Sequence, residues 1–203
     1  ETGWVDDLAV LSDGRRVLAT ARPGLALWDL ELGVATRRFE GQPGTVRRLS
    51  ASSDGRWAVS SSEDEGGGVV YLWDIRQNRS VWNVAGGAFN ARGMAISTAT
   101  NQVLIAAPGG FRLLDLTTGR EIRRFADCPG SRVAVSPDGR WALAGGSQDD
   151  VVRLWDLADG RRVRTYPVQP GSWIGAVSFS PDGRQALASA YHRVHVWALP
   201  TRP

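Results

Sequence analysis

Catalysis or ligand capture needs nucleophiles, acid–base pairs, metal ligands or phosphate cradles, and this 203-residue sequence is sparing with all of them. Its two histidines, His192 and His195, lie three apart in a run of strand-forming residues. Residues an odd number apart on a strand point to opposite faces, so the two do not converge on one ion. Cys128 is the single cysteine, with no disulfide partner and no base beside it in sequence, and it reads as a bystander thiol rather than a nucleophile. There is no Gly-x-Ser-x-Gly elbow. Gly66-Gly67-Gly68 lacks the Lys and the helix that a phosphate loop requires, so no cofactor is expected. What remains is the carboxylate pair Asp6 and Asp7, the arginines Arg47, Arg48, Arg92 and Arg132, and the aromatics Trp4, Trp173 and Tyr191.

Positioning these residues falls to short strands joined by tight turns. Pro137-Asp138-Gly139-Arg140 is such a turn: Pro presets φ, Asp bonds its own downstream backbone, and Gly takes the φ > 0 position. The turn recurs as Ser12-Asp13-Gly14-Arg15, Ser53-Asp54-Gly55-Arg56 and Pro181-Asp182-Gly183-Arg184, with a degraded copy at Thr98-Ala99-Thr100-Asn101. A second marker keeps step with it: Trp28-Asp29, Trp73-Asp74, Leu114-Asp115, Trp155-Asp156 and Trp197-Ala198. A period of about 40–45 residues holding four short strands is the pattern of a propeller blade.

These copies resemble WD repeats, named for the Trp-Asp pair that closes the third strand, and the Ser-Pro-Asp-Gly-Arg turns resemble those of bacterial members. The resemblance runs from Trp4 to Leu199. It implies an all-β propeller of five four-stranded blades, at about 4–40, 45–85, 91–126, 131–167 and 173–199, the last without its own fourth strand. The family usually places a Gly-His pair before the first strand, where His joins a buried hydrogen-bond chain to the third-strand Trp. Here Gly41-Gln42, Gly86-Gly87, Asp127-Cys128 and Val168-Gln169 stand in its place, so the chain is expected to be absent or rebuilt in every blade. Between the second and third strands of blade two, Glu63-Asp64-Glu65-Gly66-Gly67-Gly68 reads as a long, acidic, mobile loop. The fourth strands repeat Arg37-Arg38-Phe39, Arg123-Arg124-Phe125 and Arg164-Thr165-Tyr166, which reads as charge guarding exposed sheet edges.

Composition narrows the function classes. Hydrophobic content is 42%, net charge is +3, and all 24 basic residues are Arg. No apolar run reaches the roughly 18 residues of a membrane helix, and acidic residues are interspersed almost one for one, 21 against 24 basic, so no extended basic run forms. Arg-only usage and the Pro-Asp-Gly-Arg turns point to a GC-rich, bacterial source, and a cytoplasmic location is expected. A propeller hydrolase needs two carboxylates facing each other. Asp6 and Asp7 lie on the first strand of blade one, but the matching positions in the other blades are Arg47/Arg48, Arg92/Gly93, Ser131/Arg132 and Gly175/Ala176, so the second acid is missing.

By resemblance, first strands line the channel and start at the binding face. Trp4, Asp6, Arg47, Arg92, Arg132, Trp173 and Tyr191 are therefore the candidate partner-binding residues, with no catalytic or metal residue. The expected function is a non-enzymatic protein-interaction scaffold, a signalling or scaffold module with a protein or peptide partner. Anion or nucleic-acid binding through the Arg cluster is the alternative. The chain is read as a five-bladed ring, or as the C-terminal part of a larger propeller, with self-association through the open edge of the last blade as the competing outcome.

Overall fold

The computed structural model describes residues 4–64, 67–85, 91, 93–107, 109–126, 128, 132–146 and 150–200. They form five antiparallel meanders. Blade one is β1 (Leu8–Val10), β2 (Arg16–Thr20), β3 (Leu25–Asp29) and β4 (Val34–Phe39). Blade two is β5 (Thr45–Ala51), β6 (Trp57–Asp64), β7 (Gly67–Asp74) and β8 (Arg79–Ala85). Blade three is β9 (Met94–Ser97), β10 (Gln102–Ala107), β11 (Gly110–Asp115) and β12 (Glu121–Ala126). Blade four is β13 (Arg132–Val135), β14 (Trp141–Gly145), β15 (Val151–Asp156) and β16 (Arg162–Pro167). Blade five has three strands: β17 (Ile174–Phe179), β18 (Gln185–Ala190) and β19 (Arg193–Ala198).

The repeated turn closes on itself as its residues dictate. In blade four the Ser136 hydroxyl donates to Asp138 Oδ1 at 2.6 Å and accepts the Trp141 N–H at 2.9 Å, while Asp138 Oδ1 also takes the Arg140 N–H at 3.1 Å. Gly139 carries the left-handed φ of 73°. Blades two and five repeat the motif through Ser52 and Ser180. In blade three the left-handed residue is Asn101, φ 56°, which replaces the lost glycine one position later than the repeat places it. The marker aspartates serve the next turn: Asp74 Oδ1 accepts the Gln77 N–H and Asp156 Oδ1 the Ala158 N–H, both at 2.9 Å. Their second oxygens take the turn arginines, Arg56 at 3.4 Å and Arg140 at 3.2 Å. The two sequence markers keep step because they are bonded to each other.

The core is four buried clusters, one at each junction between consecutive blades. Third strands feed two of them at once: Trp73 packs back onto blade one, whereas Val70 and Leu72 pack forward onto blade three. This is why their sequence is apolar on both faces, and each large side chain so buried contributes about 1.5–3 kcal/mol. Among the described residues no such cluster joins blade five to blade one. Trp28, the counterpart of Trp73, is 40% exposed against 2%, and Val194 and Val196, the counterparts of Leu25 and Leu27, are 69% and 51% exposed against 0% and 1%. The structure therefore does not show the closed ring that the repeat count suggests.

Three local readings change. Glu63 to Gly68 is not a loop over its whole length, because β6 and β7 continue into it and pair Glu63 with Gly68 and Asp64 with Gly67. Asp6 and Asp7 precede β1 rather than lying within it. Both of their N–H groups donate to Thr20 Oγ1, at 2.8 and 3.1 Å, which satisfies them without a ladder.

The fourth-strand arginines do more than guard an edge. Each third–fourth pairing slips register just before the marker position, between Leu27/Trp28, Leu72/Trp73, Leu113/Leu114 and Leu154/Trp155. The bulge re-aims the following fourth-strand residue. In three blades that residue reaches the next blade's turn: Arg37 Nη1 donates to Ile75 O at 3.1 Å, Trp82 Nε1 to Leu116 O at 2.8 Å, and Arg123 Nη1 to Asp159 O at 2.9 Å. Arg164 instead lies over the Tyr166 ring, 5.6 Å from its centroid.

Candidate functional site: the channel and its rim

A cavity of about 320 Å³ gathers residues from every blade: Asp7, Arg48 and Leu49, Gly93 and Met94, Arg132 and Val133, and Gly175 to Val177. The first strands thus face one axis, as a propeller requires. Its charged groups are already engaged. Asp7 accepts the Leu8 N–H at Oδ1 (3.0 Å) and the Leu49 N–H of blade two at Oδ2 (3.1 Å). Arg48 Nη1 donates to Arg47 O at 2.9 Å, and Arg132 Nε to Gly175 O of blade five at 2.6 Å. Asp7 is the one carboxylate among the described lining residues, so the cavity offers no acid–base pair. Among the described residues no group of three His, Cys, Asp or Glu could hold a metal.

The other candidate residues fall into two places. Arg47, the residue skipped by the bulge in β5, pairs with Asp6 at 3.4 Å across the first junction. Trp4 leads into that pair and is strongly exposed. On blade five, Tyr191 donates its backbone N–H to Trp173 O at 3.3 Å, and both side chains are exposed. Tyr191 holds a φ of 56°, strained for a bulky side chain, and its ring meets His192 edge-on at 4.5 Å. Gly175, which receives Arg132, is two residues from Trp173. Arg92 lies outside the described residues. The expected neighbourhood of Trp4 and Trp173 depends on ring closure, which the structure does not show.

Beneath the rim lies a buried polar chain that residue types alone did not reveal. Trp73 Nε1–H donates to Ser60 Oγ at 2.8 Å, and Ser60 donates to Gln42 Oε1 at 2.5 Å. Gln42 has taken the histidine's place and rebuilt the network in blade two. Its Nε2 is buried without a partner. In blade four Ala144 stands at the Ser60 register and Cys128 at the Gln42 position, and Trp155 Nε1 is left buried and unpartnered. Cys128 itself is 1% exposed within the apolar cluster of the third junction, where a thiol is inert. Gly86-Gly87 and Asp127 lie outside the described residues. Ala144→Ser is expected to give Trp155 its acceptor and stabilise the protein by about 1 kcal/mol, a rise in Tm of about 2–4 °C. Thermal unfolding of the variant beside wild type measures it, and an unchanged or lower Tm rejects it.

At the opposite end of the blades the turn carboxylates are acids of ordinary structural kind. The Thr118 N–H and hydroxyl hold Asp115 below the usual carboxylate range, and the Ser180 hydroxyl and Arg184 N–H do the same for Asp182.

A family model described as "WD domain, G-beta repeat" matches residues 33–74, 129–156 and 160–198, more than half of the chain. The chain belongs to the WD-repeat family. Among similar proteins, Transcription initiation factor TFIID subunit 5 of Caenorhabditis elegans is 30% identical over 185 residues, covering 85% of this chain and 26% of that protein. Nuclear distribution protein nudF 2 of Penicillium rubens is 28% identical over 156 residues, covering 77% of this chain and 28% of that protein. Small ribosomal subunit protein RACK1z of Arabidopsis thaliana is 42% identical over 72 residues, 36% of this chain and 21% of that protein. The chain thus spans about a quarter of the length of the curated relatives it matches. These WD-repeat relatives are eukaryotic, which gives no support to a bacterial type.

Proposed function

We propose that this WD-repeat chain is a non-enzymatic scaffold that binds a protein or peptide partner through the rim where Trp4, Trp173 and Tyr191 are exposed beside Arg47 and Arg132. The observation that carries this reading is the Trp173–Tyr191 backbone hydrogen bond, which joins the backbones of two large exposed aromatics, one of them on strained backbone. Aromatics and arginine are the residues that dominate binding energy at interfaces. Relatives named as a transcription-factor subunit and a ribosomal-subunit protein belong by those names to large assemblies, which agrees with a scaffold role. Asp7, the one carboxylate among the described lining residues, is already bonded to two backbone N–H groups, which leaves a hydrolase without support.

Anion or nucleic-acid binding through the arginines is less well supported, since Arg47 is paired with Asp6 and Arg132 with a carbonyl. A bacterial source, suggested by Arg-only composition and turn type, and a cytoplasmic location stand as proposals. The test is a pull-down from native extract with wild type, a Trp173→Ala/Tyr191→Ala variant and an Arg47→Ala/Arg132→Ala variant. The aromatic variant is expected to lose its partners at least tenfold. The arginine variant is expected to lose them partially, because exposed pairs contribute about 0–1 kcal/mol. Full retention by the aromatic variant defeats the reading. Binding that collapses between 50 and 200 mM salt favours nucleic acid instead.

A further inference from the structure

Inside the axial cavity, one residue from each blade occupies the same register. Each meets the second-strand residue three beyond the one that pairs with the marker. Asp7 O accepts the Thr20 N–H at 3.0 Å and Gly93 O the Ala106 N–H at 2.8 Å. Arg48 is paired with Ser61, Arg132 with Gly145 and Ala176 with Ser189. These five positions form one layer, and all of them line the cavity of about 320 Å³. We propose that this layer is an oxyanion site, in which the Arg48 guanidinium grips a single carboxylate or phosphate group. That group belongs to a small free anion or to an acidic side chain inserted by the rim-bound partner, and only the second source rests on the rim reading.

The charges of the layer do not cancel. It holds two arginines and one aspartate. Both carboxylate oxygens of Asp7 are taken by backbone N–H groups, those of Leu8 and Leu49. Arg48 differs from Arg47, which has Asp6 as its counter-charge. Among the described residues Arg48 donates Nη1 to Arg47 O at 2.9 Å and forms no ion pair. Most of its five-donor fork is therefore left for a ligand. The register slip between Val46 and Arg48 is what brings this arginine, rather than Arg47, into the layer.

The walls suit the same ligand. Gly93 and Ala176 add almost no bulk to the layer, which leaves space beside the arginines. The next residues along the strands, Leu49, Met94, Val133 and Val177, make the rest of the lining apolar. A concave site with apolar walls and an excess of one charge focuses its field and concentrates counter-ions. The planar guanidinium fork matches a carboxylate or phosphate through two parallel bonds. A cavity of about 320 Å³ takes one such group and its stem, not a run of phosphates, so the ligand is not a nucleic acid.

The test titrates the intact chain at constant ionic strength with inorganic phosphate and, separately, with N-acetylglutamic acid α-amide, whose one carboxylate stands for a partner's side chain. Calorimetry reads the binding, and nuclear magnetic resonance follows the Arg48 Nε–H. Saturable one-to-one binding of at least one probe is expected, with a dissociation constant below about 10 mM and a shift of the Arg48 signal. Arg48→Gln is expected to weaken it at least tenfold. Arg48→Lys, which keeps the charge without the fork, should weaken it less. Arg76→Gln, in the turn after β7 and outside the cavity lining, should leave it within twofold. Unchanged circular dichroism spectra verify that the variants fold. Absence of saturable binding by both probes, binding indifferent to Arg48→Gln, or an equal loss in Arg76→Gln would each overturn the site. Adding Arg48→Gln to the pull-down separates the sources: weakened capture assigns the group to the partner, and unchanged capture assigns it to a free anion. The rim reading stands or falls on its aromatic variant, whatever the titration gives.

Discussion

Replacing Phe111 with alanine is expected to remove about 3–5 kcal/mol of folding stability, the larger part of what a marginally stable domain has. Phe111 is 1% exposed at the third junction. Its ring stacks on Phe125 at 4.3 Å and meets Trp155 edge-on at 5.9 Å. The loss combines the transfer of the ring from water, the aromatic contacts, and a cavity between two sheets whose backbones are fixed by their own ladders. The strands cannot collapse into it without breaking register. Ile122 on the neighbouring strand is half exposed and serves as control, since Ile122→Ala should change stability by less than about 0.5 kcal/mol. Urea unfolding followed by tryptophan fluorescence reads both. A Phe111→Ala loss below about 1.5 kcal/mol would mean that the third junction is not tightly packed.

Ser60→Ala should cost about 2–4 kcal/mol, far more than deleting one hydroxyl in a neutral setting. It strands two buried groups, the Trp73 indole N–H and the Gln42 carbonyl oxygen, each at a desolvation cost of about 1–3 kcal/mol. A double-mutant cycle with Gln42→Ala isolates the coupling. The expectation is that Ser60→Ala costs less in the Gln42→Ala background, because one of the two stranded groups is already gone. Additive costs would show that the serine and glutamine act independently. Blade four already carries the alanine, at Ala144, and already has the orphaned indole at Trp155.

Much of the fold was legible because the repeat advertises its own register. The Asp-Gly-Arg turns and the Trp-Asp pairs are bonded to each other in blades two and four, so their shared period reported a real contact. What escaped was everything that depends on a one-residue slip. The bulge beside each marker swings Arg37, Trp82 and Arg123 toward the next blade, and a two-residue alternation cannot announce it. Hence arginines that read as edge guards prove to be clasps.

The site was less legible. Thr20 accepts the backbone N–H groups of Asp6 and Asp7, and the Leu49 N–H donates to the Asp7 carboxylate, ties that composition does not announce. Gln42 could be seen to stand where histidine usually does, but its ability to close the Trp73–Ser60 chain appears only in geometry. The Trp173–Tyr191 bond joins the residue before β17 to the turn between β18 and β19 through backbone atoms that no side-chain pattern encodes.

The four junction clusters also fix an order of events when the molecule opens. Each sheet is stabilised by its own ladder and by the neighbours it touches, so stability is approximately a sum over adjacent pairs, as in a one-dimensional chain of coupled units. Blades two, three and four each belong to two clusters, whereas blades one and five belong to one. Among the described residues blade five pairs three strands and the other blades four. Among the described blades, those that share one cluster are therefore expected to open before those that share two. Any partner that seats on a terminal blade raises the barrier for the whole array, because the array loses its cheapest first step.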